Sequence, residues 1–504
     1  MKQRLLTVIT LCMTTLVALA QGPNNTGKYY KRADGLTGAE LKTAMFQIIR
    51  DANIVNYDGL KLAYVVTDTR ADGYLRDFYE PTTTYVPGSD MKPNQGEGTT
   101  YNREHVVCKN WYGSADPMYS DLAQVIPTDG WINTMHNDNP FAEVTLDASA
   151  VYTSATGYSK WGAPKEDLGV PAGVTRVFEP NDEVKGDIAR IYFYMMTCYE
   201  DRVTTFTQGK GQYVFDENGT AYMPMQQWSL DMLMRWSALD PVDDVERARN
   251  EGVFKVQRNR NPFVDYPGLE TYIWGDKKDV AFSYDTYEGQ PRGTEIDNER
   301  DYTPIESGTK INFTNAFFGV YGDEAVVKAG ETDFLKAWTG VRPGNNRIIL
   351  TGHQGNVDVL YYAGRTPTSN SVGNMFCNDS QIRIYRKNEL TLRIADGLFS
   401  KLVFEVPDVS QDQELSGPEG KLTNNTWEGS RSEVTFHVND ANGNVQLSSV
   451  TIYPVATGIW ALPEPEISDE VEAIYDAQGR RIADMQPGLN LVRMKDGRVL
   501  KIMK

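Results

Sequence analysis

Tyr101-Asn102-Arg103-Glu104-His105-Val106-Val107, followed by Ser120-Asp121-Leu122 and then by Pro127-Thr128-Asp129-Gly130-Trp131-Ile132-Asn133, is the stretch from which the fold is read. The first segment reads as a strand and the last as the start of a helix. Thr128 or Asp129 supplies the cap, because a short oxygen-bearing side chain accepts from the free N–H groups of a first helical turn. Asn133 then lies roughly one turn inside, with its amide oxygen available. Strand, crossing segment and helix together can surround one hard cation. The sequence holds only four histidines, so one beside a carboxylate stands out, although a lone Glu-His pair is commonly an ordinary surface or core pair. Neighbours on an ideal strand point to opposite faces. Glu104 and His105 therefore share a site only at a strand end or a bend, and one is expected there.

A carboxylate oxygen from Glu104 and an amide oxygen from Asn133 suit Mg2+, with Mn2+ or Ca2+ as alternatives, and not zinc, which draws His or Cys in greater number. Such a site keeps positions open for water and phosphate. Hydrolysis of a phosphodiester needs a water deprotonated in line with the leaving oxygen and charge stabilised at phosphorus. Neutral His105 can take the proton, and an ordinary imidazole loses that ability as the pH falls through about 6.5.

Outward from this stretch, residues from about Leu36 to Trp274 carry helical periodicity broken by Gly, Pro and Asn-rich loops. Val184, Ile188, Ile191, Met195 and Tyr199 recur at three- and four-residue spacing and predict a helix over 183–201. A second is predicted over 226–239, ending before Pro241. Ser283 to Ser307 is polar, holds Gly289, Pro291, Gly293 and Pro304, and reads as a linker. Beyond it, alternating segments such as Gln381-Ile382-Arg383-Ile384-Tyr385 and Leu390-Thr391-Leu392-Arg393-Ile394 predict an antiparallel β-sandwich. The end of the chain, with strands near Ala473-Ile474-Tyr475 and Val499-Leu500-Lys501-Ile502, reads as a small separate β unit.

A length of 504 residues exceeds what one core normally serves, so more than one domain is expected. Lys2 and Arg4 precede an apolar run that ends in Ala18-Leu19-Ala20, so 1–20 reads as a signal peptide and the chain is expected to be secreted or at the cell surface. No later segment approaches the uninterrupted apolar length of a membrane span. Loss of Cys12 with that peptide leaves Cys108, Cys198 and Cys377, which is not a disulfide scaffold. The formal net charge of −18 argues against generic attraction to nucleic acid. Residues 21–300 hold 28 Lys and Arg against 42 Asp and Glu, a balance of −14, so any phosphate contacts must be local.

In order and spacing these motifs resemble those of the endonuclease I family of bacterial secreted and periplasmic nucleases, which use a ββα-metal catalytic motif. Beyond the two central segments, the resemblance takes in Asn139 to Val144, Lys185 to Thr197, Asp240 to Val242 and Arg260 to Pro267. It implies that Glu104 and Asn133 hold magnesium and that His105 is the general base. It also implies cleavage of DNA, with RNA as a further substrate, with little sequence preference and 5′-phosphate products. Arg103, Arg190 and Arg260 lie in matching motifs and are candidates for phosphate contact. The alternative is internal ion pairing, for instance of Arg190 with Asp187.

Departures accompany the resemblance. Asp121-Leu122-Ala123-Gln124-Val125 lacks a histidine that many relatives have beside the site, and His136, read as a substitute polar residue, stands where Arg is usual. Cys108 and Cys198 stand where relatives commonly have Pro and Arg, which implies a bridge between them with Cα atoms within about 7 Å. The segment Ala473 to Arg481 resembles the C-terminal sorting domain of type IX secreted proteins, with secretion machinery as the implied partner. The expected class is α+β: a mainly helical nuclease domain with a ββα-metal site over 29–282, a linker over 283–308, a β-sandwich over 309–457 and a sorting-like β unit over 465–504. A competing reading is a catalytically weakened surface binding or adhesion protein that uses its sandwich. The acidity and the missing histidine favour it; the retained Glu104, His105 and Asn133 oppose it.

Overall fold

The computed structural model describes residues 23–287, apart from 25, 55, 56 and 90, and then 303–314, 317–318, 348–363, 376–378, 380–385, 388–395, 397–407, 415–418, 420–438, 444–455, 471–476, 481–482, 489–494 and 499–503. The signal peptide read at 1–20, and the stretch 288–302 of the linker, lie outside the described residues. The chain divides into two compact units, with the main boundary between Arg300 and Asp301.

The elements of the first unit are, in order, α1 (Gly38–Ile49), α2 (Leu60–Thr67), β1 (Tyr101–His105), β2 (Val125–Asp129), α3 (Gly130–His136), β3 (Val151–Thr153), β4 (Lys160–Gly162), β5 (Val177–Glu179), α4 (Lys185–Cys198), α5 (Gln227–Leu239), α6 (Asp244–Gln257), α7 (Pro262–Asp265) and α8 (Leu269–Ile273). At the centre stands α4, in which every residue after Lys185 is buried. A helix enclosed on all sides can carry a polar residue only where a partner waits. Arg190 meets that condition through Glu246 of α6. The helix is shorter than the periodicity predicts because Asp182–Val184 forms a 3-10 turn and Tyr199 caps the other end. The second predicted helix appears as α5, with Gln226 at its N-cap.

The strands β1 and β2 pair antiparallel, with Tyr101 opposite Asp129, Glu104 opposite Ile126 and His105 opposite Val125. Helix α3 follows β2 without an intervening residue, and Asp129 is the cap. Its Oδ1 accepts from Trp131 N at 2.8 Å and Ile132 N at 2.9 Å, while Oδ2 accepts from Tyr85 Oη at 2.6 Å and Gly98 N at 2.7 Å. Four donors on one buried carboxylate fix the direction in which α3 leaves the sheet. A side chain at Gly130 would bring its Cβ to 3.2 Å from the Thr100 carbonyl, so the smallest residue permits this close start. A sheet of β3, β4 and β5, with Tyr152, Trp161 and Phe178 in one cross-strand row, was not expected from the sequence. Three-residue strands are too short to show alternation.

The expected Cys108–Cys198 bridge does not form: both thiols are free and buried. Cys198 ends α4 with its sulfur 3.6 Å from the Ile49 carbonyl, whereas Cys108 precedes the 3-10 turn Lys109–Tyr112. Burial raises the pKa of both, Cys108 to about 12, so neither presents a reactive thiolate.

In the second unit, Glu389–Ile394 pairs antiparallel with both Val357–Ala363 and Glu433–Val438, and Leu398–Glu405 pairs with both Thr426–Arg431 and Ser449–Val455. Leu390, Leu392, Leu402, Phe404, Val434, Phe436, Val450 and Ile452 are buried, the alternation expected of sheets with one face inward. Val471–Asp476, Arg481–Ile482, Leu489–Met494 and Val499–Met503 form a further four-stranded sheet. Among the described residues no helix is long and apolar enough to cross a membrane.

Candidate active site

Strand β1 ends at His105, so the strand end required for a shared Glu104–His105 site is present. The two side chains have different neighbours. Glu104, 3 % exposed, is met on its Oε1 atom by Tyr79 Oη at 2.7 Å and by His136 Nδ1 of α3 at 2.5 Å. His105 turns toward the segment that crosses between the strands, where its Nε2 lies 2.9 Å from the Tyr119 carbonyl oxygen. A carbonyl only accepts, so Nε2 carries the hydrogen and Nδ1 keeps its lone pair.

The His105 ring packs against Tyr57, with centroids 5.7 Å apart and planes 16° off parallel, and against Tyr119, at 5.2 Å and 30°, and the two tyrosines lie 4.7 Å from each other, so the three rings form one cluster. Burial pushes the pKa of His105 down to about 3, with the hydrogen bond to Tyr119 opposing the shift and the charges of Lys109 and Arg103 adding to it. The ring is therefore neutral at ordinary pH, as a proton acceptor must be.

Asn133 sits on α3 one turn inside the cap and three residues before His136, on the same helical face. Its Nδ2 position is buried and has no hydrogen-bond partner. Oxygen and nitrogen of an amide are interchangeable by a flip, so the vacant position suits an amide oxygen turned toward a cation. A carboxylate oxygen of Glu104 and an amide oxygen of Asn133 would together be a donor set of the kind that fits a hard divalent ion. Among the described residues no group of three or more His, Cys, Asp and Glu side chains is placed to hold a metal, so an ion here would take its other ligands from solvent and substrate.

The three candidate arginines separate. Arg103 lies beside the site, its guanidinium stacked 3.7 Å from the Tyr57 ring centroid and 3.3 Å from the Asp58 carboxylate. Lys109 lies over Tyr119 at 5.7 Å, so two half-buried cations flank the aromatic pair around His105. Arg103 also donates to the Tyr57 carbonyl, so part of its guanidinium is already engaged.

Arg190 and Arg260 are corrected: both are enclosed, at 1 % and 2 % exposure, and both spend their donors on carboxylates. Arg190 bonds Glu246 at 2.7 Å and lies 3.3 Å from Asp187, which is the internal pairing named above. Arg260 grips Asp265 with two bonds of 2.8 and 2.9 Å. In the crossing segment, buried Asp121 is likewise engaged in the core, where it accepts from Tyr194, Tyr199 and Gln257.

Sequence reasoning missed Tyr57 and Tyr79, which lie in loops, and Tyr119, in the 3-10 turn Met118–Ser120, because such short segments show no periodic pattern. It undervalued His136, whose three-residue spacing from Asn133 was the available signal.

A family model described as Endonuclease I matches residues 37–268. The extracellular ribonuclease of Bacillus amyloliquefaciens is 31% identical over 275 residues, covering 53% of this chain and 84% of that protein. The extracellular ribonuclease of Bacillus subtilis (strain 168) is 30% identical over 270 residues, covering 52% of this chain and 83% of that protein.

Proposed function

Because the chain belongs to the endonuclease I family, we propose that it is a secreted, metal-dependent nuclease in which His105 is the general base and Glu104 and Asn133 are the protein ligands of Mg2+. The observation that carries this reading is the hydrogen bond from His105 Nε2 to the Tyr119 carbonyl, which leaves Nδ1 as a free lone pair on a ring held by two tyrosines. That nitrogen takes the proton of the attacking water, and Arg103 and Lys109 hold the phosphate backbone in register. When bound, the ion supplies charge stabilisation at phosphorus and makes a bound water more acidic. Mn2+ or Ca2+ suits the same oxygen donors.

The residues assigned here address phosphate and water and none addresses a base, so cleavage has little sequence preference. Water is the nucleophile, and the sugar 2′-hydroxyl has no part. DNA and RNA are then both substrates, RNA with the support of two relatives named as ribonucleases. In this reading β1, β2 and α3 make a ββα-metal site, the sheets of the second unit pack as a β-sandwich accessory domain, and residues 1–20 and the segment from Val471 onward serve export through secretion machinery.

The test is cleavage of DNA and of RNA by the purified protein, with the fragment ends mapped. Activity is expected to vanish in excess EDTA, to return with Mg2+ or Mn2+, and to leave 5′-phosphate and 3′-hydroxyl ends on both polymers. Undiminished cleavage in EDTA, or 2′,3′-cyclic phosphate ends on RNA, would remove the metal-activated water from the account. No cleavage with any of these ions would favour the binding-module reading.

A further inference from the structure

We propose that Tyr79 and His136 are positioning residues that clamp one oxygen of Glu104, Oε1, so that the other, Oε2, is the atom presented to the divalent cation. The proposal rests on Glu104 being a metal ligand. Both clamping side chains are buried, at 0 % and 1 % exposure, and both address the same oxygen, at 2.7 Å from Tyr79 Oη and 2.5 Å from His136 Nδ1. Among the described residues Oε2 has no hydrogen bond.

Both nitrogens of the His136 ring are engaged. Nε2 lies 3.0 Å from the Asn139 carbonyl, which only accepts, so Nε2 carries a hydrogen. Nδ1 meets Oε1, so the ring is tied at one end to the backbone and at the other to the carboxylate. The ring cannot swing away, since Phe141 and Phe178 pack against it at centroid distances of 4.4 and 4.7 Å. Phe178 also packs on Tyr79 at 4.8 Å. One helical face thus delivers both Asn133 and the residue that aims Glu104, and a carboxylate on a rotatable stem is reduced to one orientation.

Groups that orient a ligating carboxylate typically alter metal affinity by about 10- to 100-fold when removed. The alternative is that Tyr79 and His136 are buried polar residues satisfied by Glu104 for stability alone. Calorimetric titration of Mn2+ into the metal-free full chain separates the two, with thermal midpoints recorded for each variant. Tyr79→Phe removes one hydroxyl and keeps the ring packing, so it decides the matter even if His136→Ala does not fold.

Both variants are expected to bind Mn2+ about 10- to 100-fold more weakly than the wild type, and His136→Gln, whose amide can donate to Oε1, is expected to recover part of the loss. Wild-type or tighter affinity in Tyr79→Phe and in folded His136→Ala, with binding abolished in Glu104→Ala, would overturn the clamp and leave the ligand assignment standing. Equal binding by wild type and Glu104→Ala, or no binding by the wild type, would overturn the ligand assignment and the clamp with it.

Discussion

His105→Ala is expected to slow hydrolysis at saturating metal by about 10²- to 10⁴-fold, the range for a lost general base, while metal affinity stays close to that of the wild type. The ring touches neither Glu104 nor Asn133 among the described contacts, and its hydrogen-bonding nitrogen is committed to Tyr119. His105→Gln, which can still donate to that carbonyl, should be slowed as severely with a smaller loss of stability. Single-turnover rates and metal titrations of the two variants check this, and a rate loss that disappears at higher metal concentration would make His105 a ligand.

The pH profile gives the same prediction a second reading. A pKa pushed down to about 3 keeps the imidazole neutral as the pH falls through about 6.5, so the acid-side loss of rate lies below the ordinary imidazole range and is not centred within it. Between those two values the unfolded chain binds a proton that the folded chain does not. Stability therefore falls as the pH drops from about 6.5 toward 3, and rates must be taken where circular dichroism shows a folded protein.

Arg190→Ala and Arg260→Ala should each cost about 3–5 kcal/mol of stability, because each leaves a buried carboxylate without its closest cation. The carboxylates concerned are Glu246 for Arg190, since Asp187 keeps Arg76 at 2.8 Å, and Asp265 for Arg260. Urea unfolding reads the loss. Folded protein at low temperature should keep its KM for nucleic acid and the salt dependence of binding, since neither guanidinium reaches the surface. Unchanged stability with a raised KM would return these arginines to the phosphate path. Arg103 contrasts with them, because it lies among half-exposed rings beside His105.

The parts of the site that follow local rules were legible in the sequence. Thr128 and Asp129 both offered a helix cap, Asp129 is the one that serves, and either choice put Asn133 about one turn inside. The adjacency of Glu104 and His105 demanded a strand end, and β1 stops at His105. What could not be read depends on partners distant in sequence. Tyr79 reaches Glu104 across 25 positions, and Arg260 closes on Asp265 under a shell that also holds Tyr30, 235 positions from its partner Asp265. A basic residue in a shared motif looks alike whether it faces phosphate or a buried carboxylate. The depression of the His105 pKa was equally invisible, because it comes from burial against rings contributed by two segments distant from each other in sequence. The Cys108–Cys198 expectation failed for a related reason: substitution at two positions gives no distance, and these residues sit against different neighbours.

In the proposed mechanism β1 and α3 jointly hold the ion on which hydrolysis depends. The most direct measurement is the cleavage rate of one DNA substrate across a magnesium series for wild type, Glu104→Ala and Asn133→Ala, at a pH where all three are folded. The wild type is expected to saturate and both variants to need substantially more magnesium to reach half of their own maximal rate, with Glu104→Ala the more impaired because it loses a charged ligand. Superimposable magnesium curves for the three proteins would contradict this mechanism.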